Sequence, residues 1–274
     1  MKAMIKIELE RAFKGAAFKI ALSIGIIICA LQFFIQVIPA ANNPLEHYVP
    51  MQLDIPANVH NMWIGSWFNM YYSLYIRLIP LLAVIPYAVT FYTDSKKGIV
   101  RNYYARTKKI NYLSAKFIAV FLTGGFAAVF PLLLNLIATS AVLPSIISVN
   151  GMISCSANGM WSYIWYSHPY VYYCMYLVLQ YICAGLIATI SLSISQWVNN
   201  SFIVLLFPMV LCEFLNAVTH WSSYKAVRGV AAYRLLSIEQ VMPNYWQSYV
   251  LFIVAVIVLD IVCFVWRGVK DDTL

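Results

Sequence analysis

The chain has 274 residues, of which 62% are hydrophobic and only 10% charged, and its mean hydropathy is +0.76. Soluble domains are about half apolar and about a quarter charged, so this composition excludes a soluble enzyme, a secreted disulfide scaffold and a disordered chain. The net charge of +8 would suit a nucleic-acid-binding protein, but the positions of the charges argue against one. We therefore interpret the chain as a polytopic membrane protein.

The first 19 residues form a basic amphipathic segment. Apolar residues recur there at nearly helical spacing, with four cations among them. The apolar positions are Ile5, Leu9, Phe13, Ala16 and Ile20. This pattern predicts an interfacial helix over 1–19, which lies on the inner leaflet with its cations near anionic head groups. The alternative is that the segment extends the first spanning helix into the cytosol.

Six apolar stretches follow, and each is long enough to span a membrane, because about 20 apolar residues cross a hydrocarbon layer about 30 Å thick. They lie at about 20–38, 70–92, 117–139, 171–195, 201–219 and 249–266. No internal repeat and no linker between domains is evident in the sequence. The sequence therefore predicts an all-α fold with six transmembrane helices in a single transmembrane domain, 1–274.

The positive charges predict the orientation of these helices. With the N-terminus in the cytoplasm, 14 of the 18 basic residues lie inside, and the charges of the outer loops cancel. The inner cations are Lys2, Lys6, Arg11, Lys14, Lys19, Lys96, Lys97, Arg101, Arg106, Lys108, Lys109, Lys116, Arg267 and Lys270. The predicted outer loop at about 140–170 has no charged residue. Both termini are thus expected in the cytoplasm.

The outer side carries two further features. The segment 220–248 is too interrupted by charged residues to span, and it predicts one or two short helices that enter the outer leaflet as a re-entrant segment. Aromatic residues cluster before the second and the fourth predicted spans. They are Trp63, Trp67, Tyr71, Tyr72, Tyr75, Trp161, Trp165, Tyr166, Tyr170, Tyr172 and Tyr173. Amphipathic rings prefer the membrane interface, so we assign most of them to anchoring.

The sequence predicts neither a catalytic site nor a metal site. It contains no phosphate-binding Gly-x4-Gly-Lys-Ser/Thr loop, no HExxH helix and no Gly-x-Ser-x-Gly elbow. The four histidines are scattered over predicted outer segments without metal-ligand spacing. Of the six cysteines, only Cys155 and Cys174 lie near the outer face, and a single bridge between them is left open.

The densest polar region is the predicted inner loop 93–116. Its 23 residues from Asp94 onward carry seven cations and one acid, with three tyrosines interleaved. One explanation is that short cytoplasmic loops are basic in any case. The other is a short helix that begins with Asp94 or Ser95 as its N-cap and faces a cytosolic partner. The residues that would meet this partner are Arg101, Tyr104 and Arg106.

The order of residues in this loop follows a family pattern. An acidic residue and Gly precede Ile-Val-Arg-Asn, then Arg-Thr-Lys-Lys, and Tyr-Leu-Ser-Ala-Lys closes the segment. This order resembles the first cytoplasmic loop of ABC-2 type transporter permeases. The matching positions are Asp94, Gly98, Arg101, Asn102, Arg106 and Lys116. The resemblance implies a coupling helix that docks into an ATP-binding subunit, with Tyr104, Lys108 and Lys109 on the same docking surface.

The resemblance implies the permease subunit of a bacterial ABC exporter of type V-like architecture, located in the cytoplasmic membrane. Such a subunit would move a hydrophobic or amphipathic substrate, such as an antimicrobial peptide, a drug or a lipid, outward by alternating access. Its implied partners are two ATPase subunits, which bind ATP and Mg²⁺, and a second permease, identical or paralogous. This chain itself would hold no cofactor and bind no nucleic acid. The alternative function is a non-transporting sensor or assembly subunit that docks a cytosolic partner through the basic loop.

Three charged residues fall within predicted spans, where ionised side chains are costly and usually face the bundle interior or a wet cavity. They are Arg77, Glu213 and Asp260. Two roles are open for them at this point. In the first, one of the acids pairs with Arg77 and fixes the helix packing. In the second, the residues line the substrate path.

Overall fold

In a computed structural model of the protein, helices are the only regular secondary structure in the described part of the chain. This part comprises residues 1–42, 57–65, 70–147, 159–238 and 244–270. Its helices, in chain order, are α1 (Lys2–Lys14), α2 (Ala16–Gln32), α3 (Ile38–Asn42), α4 (Val59–Met62), α5 (Met70–Val84), α6 (Thr90–Lys96), α7 (Ile99–Arg106), α8 (Lys109–Val142), α9 (Ser162–Ser167), α10 (Pro169–Ser195), α11 (Ser201–His220), α12 (Lys225–Gly229), α13 (Ala232–Leu236), α14 (Trp246–Asp260) and α15 (Arg267–Lys270). Cys155 lies outside the described residues, as does Trp67.

Five helical stretches are long and apolar enough to cross a membrane. They are Ala16–Asn42, Lys109–Val142, Pro169–Ser195, Ser201–Thr219 and Trp246–Val269. The first and the last of them each contain a π-helical turn, at Phe33–Val37 and at Ile261–Trp266. Helices of this length and composition are those of a multi-pass membrane protein.

The second predicted span, 70–92, is divided into two helices. α5 ends at Val84, and a turn at 85–89 separates it from α6. Pro86 explains the break, because proline has no N–H to donate and disfavours the helical conformation of the residue before it. With 15 residues α5 is about 22 Å long, less than a hydrocarbon layer of about 30 Å. The described chain thus has five full-length apolar helices and one shorter one, where six of full length were predicted.

α8 and α10 form the centre of the bundle, and α5, α11 and α14 pack around α10. Two glycines bring the antiparallel backbones of α8 and α10 close together. A Cβ atom on Gly185 would lie 2.7 Å from the carbonyl oxygen of Phe121, and one on Gly125 would lie 2.7 Å from that of Tyr181. Small residues allow the same close approach in other membrane-helix pairs.

α8 is longer than the apolar stretch that predicted it. Its 34 residues extend over about 50 Å, and its first two turns carry Tyr112 and Lys116. α1 packs against α8 with a buried face of Met4, Glu8 and Ala12. Gly15, in an extended conformation, separates α1 from α2, so α1 does not continue the first spanning helix.

The outer segment folds back onto the bundle. α13 packs against α5, α10 and α11, and the Gln180 side chain donates a hydrogen bond of 2.8 Å to the Leu236 carbonyl. The backbone N–H of Ile238 donates to the Tyr72 hydroxyl at 3.2 Å. These bonds satisfy polar groups that would otherwise be buried without partners.

On the predicted outer side, aromatic side chains enclose His60. Its Nδ1 atom lies 2.9 Å from the Tyr173 hydroxyl, and its Nε2 atom lies 3.0 Å from the Ser145 hydroxyl. The rings of Trp165 and Tyr170 pack at centroid distances of 6.2 and 6.1 Å. Burial lowers the pKa of His60 from 6.5 to about 4.

This depressed pKa predicts a pH-dependent stability. The unfolded chain binds a proton at His60 below pH 6.5, whereas the folded protein binds it only below about pH 4. The free energy of unfolding should therefore fall as the pH is lowered between these values, by up to about 3 kcal/mol. Thermal unfolding of His60→Gln at pH 7 and pH 5 should show less pH dependence than wild type. His168→Gln, at an exposed histidine, is the control, and equal pH dependence in all three proteins would contradict the prediction.

Candidate functional site at the inner loop

Four charged side chains meet between α1, α6 and the first turns of α8. We call Glu8, Arg11, Asp94 and Lys116 the inner charge cluster. Both terminal nitrogens of Arg11 donate to the Asp94 carboxylate at 2.7 Å, in a bidentate pair. The Lys116 ammonium donates to Glu8 Oε2 and to Asp94 Oδ2, each at 3.2 Å. The cluster thus joins the N-terminal helix to the basic loop and to a central helix of the bundle.

The inner charge cluster is buried and electrically balanced. Glu8 and Lys116 are 0% exposed and Asp94 is 2% exposed, whereas the Arg11 side chain is 38% exposed. Two carboxylates and two cations give no net charge, which offsets the cost of removing each ion from water. The hydrogen bonds to Asp94 raise the pKa of Arg11 above its usual value, so this guanidinium stays charged.

Tyr87 completes the cluster from the turn before α6. Its hydroxyl donates to Glu8 Oε2 at 2.6 Å, and the Lys116 ammonium lies 4.1 Å from the centre of its ring. A cation over an aromatic face gains further electrostatic attraction. A single carboxylate oxygen therefore accepts hydrogen bonds from two elements that are distant in sequence.

Gly98 separates the buried part of the loop from the exposed part. Its backbone is left-handed, with φ of 69°, between the end of α6 and the start of α7. No atom lies within 4 Å of a Cβ built on it, so the backbone conformation rather than the available space favours glycine. Other L-residues adopt this conformation at a cost of roughly 1–2 kcal/mol.

The predicted N-cap of the loop helix is wrong. Asp94 and Ser95 lie inside α6, and α7 begins after Gly98 without a side-chain cap. The Asp94 carboxylate is bound by Arg11 and Lys116 and is not available to cap a helix. A short helix does form in the loop, but it starts at Ile99.

α7 packs on α8 through tyrosines and directs polar side chains outward. The Tyr103 ring stacks on Tyr112 at a centroid distance of 5.0 Å, and the Tyr104 ring meets Tyr112 edge-on at 5.8 Å. Lys109 is half-buried, with its ammonium 5.7 Å from the centre of the Tyr104 ring. The exposed members of the predicted docking set are Arg101, Asn102, Arg106 and Lys108. Asp94 belongs to the buried side of the same loop.

The three charged residues predicted within the membrane do not form one group. Asp260 is buried between α14 and α10, where it bonds to two hydroxyl groups. Glu213 is exposed on α11 and accepts a hydrogen bond from Tyr233 of α13. Within the described part of the chain, Arg77 on α5 forms no ion pair with either acid.

Arg77 and Glu213 nevertheless share one exposed face. α5 and α11 pack together, and each charge lies seven residues, about 10 Å, from the predicted outer end of its helix. Apolar side chains such as Leu74 and Phe214 surround them on this face. Exposure to lipid would be costly for both charges at that depth, so the face suits a polar path or contact with another protein.

Sequence reasoning missed the inner charge cluster. The sequence feature that could have revealed it is a charged residue at helical spacing between apolar residues. Glu8 lies between Met4 and Ala12 at spacings of four, and Lys116 lies one turn after Tyr112. Residues four apart occupy one face of a helix, so both charges had to be buried with their apolar neighbours.

The chain was compared with known protein families, curated proteins and solved structures. No family model matches the chain, and neither does any curated protein or solved structure. The ABC-2 resemblance consequently rests on the loop residues of this sequence.

Proposed function

We propose that this chain is the permease subunit of an ATP-driven ABC-2 type exporter, and that an ATPase subunit docks on α7. The inner loop carries the proposal. Its short helix exposes Arg101, Asn102 and Arg106, while Asp94, just before it, is fixed to the bundle by ion pairs. A partner could bind the exposed polar face of α7, and the ion pairs of Asp94 would transmit a movement of this helix to the bundle.

The ionic contacts supply the stiffness that such transmission requires. Asp94 lies five residues before α7 and binds side chains from both α1 and α8. A partner that displaces α7 would therefore displace two further helices with it. A loop held only by its two chain ends would absorb the same displacement by bending.

The rest of the structure is compatible with export. We infer that α5 and the five longer helices form six spans with both termini in the cytoplasm of a bacterium. The face that holds Arg77 and Glu213 would meet the substrate path or a second permease, identical or paralogous. Few charges lie in the described bundle, which favours a hydrophobic or amphipathic substrate such as an antimicrobial peptide, a drug or a lipid. ATP and Mg²⁺ would be bound by the partner subunits.

A second candidate function uses the same surface. A membrane-embedded sensor or assembly subunit would also need an exposed basic helix to hold a cytosolic partner. The two functions differ in transport: only the exporter moves substrate across reconstituted vesicles when ATP is supplied.

Charge reversal on α7 tests the docking surface. The double variant Arg101→Glu/Arg106→Glu should reduce co-purification of the ATPase at least about tenfold, because a loss of 1.4 kcal/mol in binding is a tenfold change in affinity. The measurement is the amount of ATPase retained on tagged full-length permease extracted from membranes.

The matched control is Lys2→Glu/Lys14→Glu, which reverses two exposed cations on α1 at the same side of the membrane. This control should keep the ATPase bound. Undiminished association of the α7 variant, or a wild-type permease that purifies with no ATPase, would count against the proposed function.

A further inference from the structure

Asp260 occupies an unusual position in the bundle. It is the last residue of α14, directly before the π-helical turn Ile261–Trp266, and only 1% of it is exposed. Its carboxyl group faces α10, where Ser193 Oγ lies 2.6 Å from Oδ1 and Thr189 Oγ1 lies 2.6 Å from Oδ2. π-helical turns within helices are frequent at functional sites.

The hydrogen atoms at this site can be assigned by counting. Thr189 Oγ1 also lies 2.7 Å from the carbonyl oxygen of Leu186, which can only accept. The Thr189 hydroxyl has one hydrogen and cannot donate to both oxygens. Both distances are typical of O–H···O hydrogen bonds, so each needs a hydrogen between its two oxygens. If Thr189 donates to Leu186, the second hydrogen must belong to Asp260.

Among the side chains that the structure describes, no cation pairs with Asp260. The elements packed against this part of the chain are α8, α10, α12 and α15, and α10 contributes Thr189 and Ser193. The described cations of the other three elements have partners elsewhere. Lys116 is in the inner charge cluster, Lys109 lies over Tyr104, Arg228 donates to the Ser222 carbonyl and Arg267 lies over the Trp197 ring. A buried carboxylate without a cation is strongly disfavoured.

We propose that Asp260 is a proton-binding site and that it is a neutral acid in this conformation. Oδ2–H donates to Thr189, Thr189 donates to Leu186, and Ser193 donates to Oδ1. Each bond then has one hydrogen, and no charge is buried. Binding adds one proton from water to the carboxylate, and release returns it. Release would leave an unpaired charge between α10 and α14, so the proton stabilises the contact of these two helices.

Infrared difference spectroscopy of the full-length protein in lipid vesicles tests the protonation directly. At neutral pH, the spectrum of wild type minus that of Asp260→Asn should contain the C=O stretching band of a protonated carboxylic acid. This band should shift in D₂O. The difference spectrum of wild type minus Glu10→Gln, at an exposed acid, should lack this band. Carboxylate bands alone in the Asp260→Asn difference would overturn the proposal.

Thermal unfolding provides a second readout that does not require transport. Asn is neutral and of similar shape, and its amide can donate to Thr189 while its carbonyl accepts from Ser193. Asp260→Asn should therefore unfold close to the wild-type temperature at pH 7, whereas Asp260→Ala, which loses both bonds, should unfold well below it. An Asn variant as unstable as the Ala variant would show that the carboxylate form is the one required. The result is independent of whether the protein exports anything.

Discussion

Replacing Lys116 with Met should destabilise the protein by about 3–5 kcal/mol, which is the usual cost of removing one partner from a buried ion pair. The variant leaves the carboxylates of Glu8 and Asp94 buried, with Arg11 as the remaining cation. It also removes the ammonium from the Tyr87 ring. Denaturant unfolding of the purified protein in mixed micelles gives the free energy of unfolding.

Two further variants separate charge pairing from the loss of a long side chain. Lys109→Met, about two turns earlier on the same helix, removes a half-buried cation whose ammonium lies over the Tyr104 ring, and should cost less than about 1 kcal/mol. Glu8→Gln/Lys116→Met removes an anion along with the cation and should be more stable than Lys116→Met alone. Equal stability of Lys116→Met and Lys109→Met would show that the ion pairs contribute nothing.

The inner charge cluster changes how α1 is understood. The sequence pattern presents α1 as an amphipathic helix on the membrane surface, but its buried face carries Glu8. Glu8 and Arg11 are three residues apart on one face, and together they reach α6 and α8. In the proposed exporter, α1 would therefore move together with the docking loop when the ATPase binds or releases nucleotide.

The apolar helices that are long enough to cross a bilayer were the easiest to predict. The predicted span 171–195 corresponds to Pro169–Ser195, and 201–219 corresponds to Ser201–His220. Local signals fix their starts, because proline suits the first helical turn and the Asn200 side chain accepts a hydrogen bond from the Phe202 N–H. Apolar length and local capping are both readable from a single sequence.

Boundaries outside the apolar stretches were predicted less well. α8 begins at Lys109, eight residues before the predicted span, because a helix continues for as long as its backbone bonds form. Hydropathy identifies only the apolar part of the helix. Pro86 predicts a bend in the second span, but hydropathy does not show that the bend divides the span into two helices, since the apolar stretch continues through it.

The sequence predicted the exposed residues of the candidate site but not its ion pairs. A cluster of cations along one loop is visible in the sequence, as at Arg101 and Arg106. Ion pairs of the inner charge cluster join residues that are 83 and 108 positions apart, and no local pattern shows which acid meets which base. The sequence likewise left open an ion pair between Arg77 and one of the acids, whereas the packing places Asp260 beside two hydroxyls.

Gly185→Val should prevent the close contact of α8 with α10 and destabilise the bundle by at least about 3 kcal/mol, the upper part of the range for overpacked cores. The new Cβ would lie 2.7 Å from the carbonyl oxygen of Phe121 and within 2.9 Å of its ring. The ring can turn, but the oxygen belongs to a helix backbone that packs along much of α10. The measurement is the yield of monodisperse protein after extraction, together with its unfolding temperature.

The geometry of the contact explains why relaxation cannot remove this cost. Phe121 and Gly125 are four residues apart on α8, and Tyr181 and Gly185 are four apart on α10, so each glycine faces the carbonyl of the other pair. Both carbonyls belong to helix backbones, so neither can rotate away from a new side chain as an aromatic ring can. Ala217→Val, on the exposed face of α11, also introduces a valine but without such a contact, and should leave the yield unchanged. Matching yields and unfolding temperatures in the two variants would mean that α8 and α10 do not pack this closely.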